Sequence, residues 1–201
     1  MSVEVEERSA AIATAREADA VEQKGSLAFL LQDLRLLLVG LWLGASLFFS
    51  FVVAPGVFAV LRGSTALYAN HLAGSIVTRN LAFINTSGFV ISLLLLASAF
   101  VFRSRTRRGA LLAEVISLAV LAITTSVGQW VIAAKMLALR QQMGRPIDET
   151  AAGDPLRVAF NSLHVYSVAA LTVAMVASLV AFILIARRAH KIRGQRLEVR
   201  G

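Results

Sequence analysis

Apolar residues along this chain gather into four long blocks, broadly 36–61, 81–102, 111–134 and 163–186, with short polar stretches between them. Each block reaches or exceeds the roughly 20 residues that a helix needs to cross the hydrocarbon core of a bilayer. They are too long and too free of charge to be the core helices of a water-soluble domain. In hydrocarbon every backbone polar group must be satisfied within the segment itself, and a helix does this. The pattern therefore predicts an all-α integral membrane four-helix bundle, its transmembrane domain over 34–188 and its tails at 1–33 and 189–201.

Inside the blocks, smaller signals predict how the helices meet and end. Gly40 and Gly44 form a Gly-x-x-x-Gly pair on the first span, with Ala54 on a nearby face, and would let a second helix approach closely. Pro55 removes a backbone donor and is expected to kink or end that span. The next helix is expected to begin at Thr65 with Ser64 as its cap. From there to Phe102 is 38 residues, or roughly 57 Å, so its first part must lie outside the core or along the interface. On one face of it every seventh residue is polar, namely His71, Thr78, Asn85 and Ser92, with Gly74 and Gly88 beside them. Such a stripe should point into the bundle, where it serves as helix-to-helix glue or lines a surface for a ligand or ion. Gly40, Gly44, Pro55 and Gly88 are thus the expected packing positions.

The third span carries Glu114, the only acid within a span, and an ion pair with Arg107 or Arg108 in the preceding turn is the simplest expectation. Trp130 sits where an aromatic belt would fall. Gly144 with Pro146 predicts a helix stop, and Asp154 followed by Pro155 predicts a capped start. Arg157, Asn161, His164 and Val168, spaced four, three and four apart, share one face of the last helix and enter the bundle from its outer end.

Composition agrees with this pattern, since 57% of the 201 residues are hydrophobic and 16% charged. The formal charge of +8 would suit nucleic acid, but its distribution argues otherwise. With four spans both termini share a side, and that side holds fourteen of the twenty Lys and Arg residues. Retention of positive charge predicts cytoplasmic termini in the plasma (inner) membrane. The tail RRAHKIRGQRLEVRG would then meet anionic lipid, and no recognition motif accompanies the bases to support nucleic-acid binding. Residues 1–33 contain seven acids against three bases and no early apolar core, so the first block is expected to be a retained span rather than a signal peptide. That acidic head has few large apolar residues and is expected to be a mobile cytoplasmic tail. The chain has no cysteine, which excludes disulfides, thiolate metal sites and cysteine catalysis.

Two stretches resemble a known family. WVIAAKMLALRQQ, a loop with DP, and RVAFNSLHVYS are similar to the second half of the transmembrane-protein-205-like family, small four-span membrane proteins carrying a domain of unknown function. GLWLGASLFFSFVVAPGVFAVL and LYANHLAGSIV resemble its opening, so that the likeness covers about residues 36–186. Arg157, Phe160, His164 and Ser167 fit its Arg-x-x-Phe-x-x-x-His-x-x-Ser pattern, and Trp130 fits the tryptophan upstream. The resemblance implies a four-span membrane protein and attaches no enzyme activity to it.

The expected function is that of a non-enzymatic multi-pass membrane protein. Its polar outer site, built from His71, Asn85, Arg157, Asn161, His164 and Ser167, would bind or pass a small solute or organise a partner. Six bases on the outer side, Arg62, Arg79, Lys135, Arg140, Arg145 and Arg157, against Asp148, Glu149 and Asp154 would favour anions there. A four-span chain without an evident inverted repeat would need a homo-oligomer to transport. The alternative is a redox protein in which His71 and His164 ligate haem or copper. No haem-attachment motif or tight His/Met cluster accompanies these histidines, so no cofactor is expected. No Ser-His-Asp set, paired carboxylates or His-Glu metal motif marks an enzyme, and Asp148 and Glu149 read as solvated loop residues.

Overall fold

A computed structural model of the chain describes residue 27, residues 29–101 and residues 108–200, with side chains except at 101 and 191–200. The expectations for the acidic head, for Arg107 in the arginine-rich turn and for the side chains of the basic tail fall outside these residues. All regular structure among them is helical: α1 (Phe29–Gly63), α2 (Ala69–Val101), α3 (Arg108–Met143) and α4 (Pro155–Arg200). Each contains a segment long and apolar enough to cross a membrane. Residues 38–184, so far as they are described, form one compact unit, and the described residues up to 37 together with those from 185 onward form another.

In the larger unit the core takes residues from every helix. Trp42 and Phe49 of α1, Ile84 of α2, Leu121 of α3 and Leu171 and Ala174 of α4 pack together. Small residues recur where α4 is buried, at Ala174, Ala177, Ser178 and Ala181, and larger apolar residues such as Leu94, Ile123 and Val176 are more than half exposed. This inside-out arrangement suits lipid as the solvent. Hydrocarbon gives apolar side chains no reason to hide, so close packing of small residues holds the helices together. In the smaller unit the buried Gln32 side chain donates to the Ile185 carbonyl at 3.0 Å and accepts from Arg35.

Trp42 makes the most specific of the contacts between helices. Its indole N–H donates to the Ile84 carbonyl at 2.9 Å and the ring is 3% exposed. Room for it comes from Gly88, where a Cβ would sit 2.6 Å from the indole nitrogen. The first span's two glycines differ from each other. Gly40 receives the ring of Phe182, 3.2 Å from where a Cβ would be, whereas nothing lies within 4 Å of that position at Gly44. The expected backbone-to-backbone approach at the glycine pair is therefore replaced by a ring in a notch.

Pro55 does not end α1. The helix passes through a π-helical turn at Phe49–Val53, closed by the Ala54 N–H on the Phe49 carbonyl, and continues to Gly63. Pro55 cannot donate to the carbonyl four residues back, and the wider turn just before it lets the chain absorb the missing bond. A second π-helical segment, Val127–Ala133, lies in α3. Inside it Gly128 faces the Asn85 amide, 3.2 Å from a would-be Cβ, and Trp130 is half exposed with its ring edge-on to Phe89 at 5.0 Å.

The polar stripe on α2 turns inward as expected at Asn85 and Ser92, which are 4% and 0% exposed. Its hydroxyls do not reach across to other helices, however. Thr78 donates to the Gly74 carbonyl at 2.7 Å and Ser92 to the Phe89 carbonyl at 2.7 Å, both within α2. A hydroxyl that finds an acceptor on its own helix needs no partner elsewhere. Helix α2 also starts later than Thr65, at Ala69. Ser64 instead closes α1, donating to the Leu61 carbonyl at 2.7 Å and accepting from the Ala66 N–H, and Tyr68 turns the chain with a φ of 63°. The later signals hold. Gly144 ends α3 in the left-handed conformation, and the Asp154 carboxylate accepts from the Leu156 N–H at 2.9 Å with Pro155 opening α4.

These contacts predict opposite outcomes for two glycines. Gly88→Ala should cost about 1–3 kcal/mol by pushing the indole out of its notch. Gly44→Ala should be neutral or mildly stabilising, within about 1 kcal/mol, because a helix gains propensity and nothing is displaced. Thermal unfolding of both variants in the same detergent checks the pair.

Candidate functional site

The site is a cavity of about 320 Å³ in the larger unit, at the end of the bundle where α1 passes to α2 and α3 passes to α4. Its rim is polar. Arg62 comes from α1, Asn70 and Thr78 from α2, Arg140 from α3, Asp148 from the following loop and Arg157 from α4. Toward the middle of the bundle the wall becomes apolar, with Val77, Leu81, Ala133 and Met136. Asn161, His164 and Ser167 of α4 line one side together with the buried Phe160 ring.

A chain of hydrogen bonds fixes the rim. Arg62 Nε donates to the Asn70 side-chain oxygen at 2.8 Å, and the Asn70 amide donates to Asp148 Oδ1 at 2.6 Å. The other carboxylate oxygen of Asp148 accepts from the His71 backbone N–H at 2.9 Å. Arg157 donates to the carbonyl of the buried Thr150, tying the loop to α4. Arg145 pairs with Asp154 at 3.7 Å.

Three guanidinium groups thus meet at the rim with one carboxylate, and that carboxylate is already engaged on both oxygens. Two of the cations lie over rings, Arg62 over Phe58 at 5.2 Å and Arg140 over Phe160 at 5.0 Å. Stacking of this kind covers a guanidinium face and leaves its N–H edge available. Burial pushes the Asp148 carboxyl up, but the bonds from the Asn70 amide and the His71 and Asn70 N–H groups outweigh it and hold the group below the ordinary aspartate range. The Tyr68 phenol is raised, first by its hydrogen bond to Glu149 and then by that residue's charge.

Of the residues expected from sequence, Arg157, Asn161, His164 and Ser167 line the cavity and Asn85 and His71 do not. Asn85 is buried against Gly128, and His71, outside the lining, donates its backbone N–H to Asp148 at the rim. Val168, expected on the same face, is half exposed outside the lining, and Ser167 takes that place. Only one of the two candidate haem or copper histidines therefore lines the cavity. No group of three or more His, Cys, Asp or Glu residues suited to a metal occurs among the described residues. Glu114 is fully buried in α3, away from the lining.

Sequence spacing does not single out Arg62, Arg140 or Gln129 for the site. The first two stood among six outer bases with no signal separating them, since their convergence depends on how three helices pack. Asp148 reads as a solvated loop residue and is exposed in the loop after α3, where it is also the acceptor that orders the rim.

The lowered Asp148 pKa gives a signed prediction. A depressed folded-state pKa contributes stability above the unfolded value and loses it as pH falls through the folded one. The rim should therefore loosen only below the ordinary aspartate range. Asp148→Asn should remove this component of the acid sensitivity, which melting curves of both proteins across acid pH would reveal.

Comparison with known proteins gives one match. Residues 37–145, just over half of the chain, match the model of a family described as a domain of unknown function, DUF4149. None of the curated proteins and none of the solved structures matches the chain. The matched region runs from the first span through the end of α3, and the chain belongs to the DUF4149 family.

Proposed function

We propose that this protein is a non-enzymatic, multi-pass protein of the plasma (inner) membrane whose cavity holds a small anionic solute. The observation that carries the reading is the meeting of Arg62, Arg140 and Arg157 around one cavity whose only carboxylate among the described residues, Asp148, is spent on Asn70 and His71. Low-dielectric walls strengthen attraction between these cations and an entering anion. With both termini cytoplasmic the rim faces outward, an orientation supported by the excess of bases on the terminal side. The likeness of both halves to the transmembrane-protein-205-like family accords with a small four-span protein of this kind. The basic C-terminal tail would rest on anionic lipid, and a homo-oligomer would be needed if the solute crosses the membrane.

Purified protein in mild detergent, melted with phosphate, acetate or ammonium at constant ionic strength, tests this. A ligand bound only by the folded state at a hundredfold excess over its Kd stabilises by about 2.7 kcal/mol. Phosphate and acetate should raise the melting temperature and ammonium should not, with the gain much reduced in Arg157→Gln. Indifference to every anion would contradict the reading. An absorption spectrum and elemental analysis of the same preparation should show neither haem nor copper, and flux into liposomes separates passage from binding.

A further inference from the structure

Among the three rim cations Arg140 stands apart. Arg62 uses its Nε on Asn70, and Arg157 is committed to the Thr150 carbonyl. No hydrogen-bond acceptor or carboxylate partners the half-buried Arg140 guanidinium among the described residues; the Phe160 ring covers one face of it. Helix α2 makes room for it at Gly74, where a Cβ would lie 2.7 Å from an Arg140 terminal nitrogen. Gln129, whose buried Oε1 has no hydrogen-bond partner, lines the cavity eleven residues back along α3, roughly 15 Å deeper than Arg140 and beyond Ala133 and Met136. The rim thus offers an uncommitted planar donor suited to an oxyanion.

The remaining lining indicates what is attached to that head. Below the rim the wall is apolar, and an oxyanion alone would leave Val77, Leu81, Ala133 and Met136 uncovered. On the α4 side the lining residues Asn161 and His164 are themselves exposed, and they adjoin Val165 and Val168, which are 65% and 53% exposed. The polar lining therefore runs directly into an apolar helix face. In a bilayer that face lies among acyl chains, giving a chain attached to the head a sideways path out of the cavity.

Resting on the anion-binding reading above, we propose that the ligand is an anionic amphiphile: a phosphate head gripped by Arg140, its acyl portion along the apolar wall that runs inward toward Gln129. Arg140 serves as the fork for the phosphate oxygens and Gly74 sets where that fork stands. The same phosphate chemistry could arrive on a lipid or on a soluble phosphate ester, and the acyl contribution separates the two.

The test uses the full-length protein in mild detergent, titrated with dioctanoyl phosphatidylglycerol, dioctanoyl phosphatidylcholine and glycerol 1-phosphate. Saturable binding of the phosphatidylglycerol is expected, about tenfold or more tighter than either of the others. Arg140→Gln should weaken it by about tenfold or more. Gly74→Val keeps every charge and moves the fork, and should weaken it comparably, whereas Lys135→Gln, exposed and outside the lining, should leave it unchanged. Unaltered helicity confirms that a variant has folded, and either of the two informative variants suffices. Equal binding of glycerol 1-phosphate would overturn the amphiphile and leave the anion site standing, as would phosphatidylcholine binding as tightly. Unchanged affinity in folded Arg140→Gln or Gly74→Val would overturn the assignment of the fork. If neither phosphate compound binds while acetate still stabilises the protein, this inference alone fails; if no anion acts, both readings fail.

Discussion

A hydroxyl, an amide or an indole N–H placed in hydrocarbon has no solvent to bond, so leaving one without an acceptor or donor in the protein is costly. That constraint organises the larger unit. Ser46, Thr78, Ser92, Ser117 and Thr125 all donate to carbonyls three or four residues back on their own helices. They remove their polarity locally and leave the helix surface free for packing. Trp42 cannot do this, because its N–H stands too far from its own backbone, and it crosses to the Ile84 carbonyl instead. One indole in the notch at Gly88 therefore links α1 to α2 where the hydroxyls do not.

The same constraint places the polar cluster at the end of the bundle. Three arginines, an aspartate and several amides cannot be satisfied by back-bonding, and they gather where the connecting segments supply further donors and acceptors. Asp148 is the clearest case. It lies in a loop, yet it joins Asn70 and His71 of α2 through both oxygens, so the loop becomes the wall of a cavity rather than a mere connection. The two π-helical segments belong to the same economy. Near Pro55 the wider turn absorbs a missing donor, and in α3 another carries Gly128 against Asn85 and brings Gln129 into the lining.

Helix number, approximate position and the caps at Gly144 and Asp154 were readable in the sequence because they follow from run length and from local backbone chemistry. The face of α4 bearing Arg157, Asn161 and His164 was equally plain, since residues three and four apart share a side whatever the fold. The glycine pair misled in part, because two small residues create space without saying what fills it, and a ring from α4 fills one while the other stays open. Pro55 signalled a disturbance of its helix but not its form, a π-helical turn just before the proline through which α1 continues. Arg62 and Arg140 were invisible as partners of Arg157, being separated along the chain and brought together only by packing. Nor could the α2 stripe reveal that its hydroxyls would turn back on their own helix.

The account rests on lipid surrounding the apolar faces while polar groups collect in the cavity. The absence of cysteine makes single-cysteine spin labelling a clean measurement of this. In bilayers, labels at Leu94, Ile123 and Val176 should collide readily with dissolved oxygen and poorly with a water-soluble paramagnetic reagent. Labels at Thr78 and Asn161, in the cavity lining, should show the reverse preference. Water access at Leu94 or Ile123, or the same preference in both sets, would contradict the account.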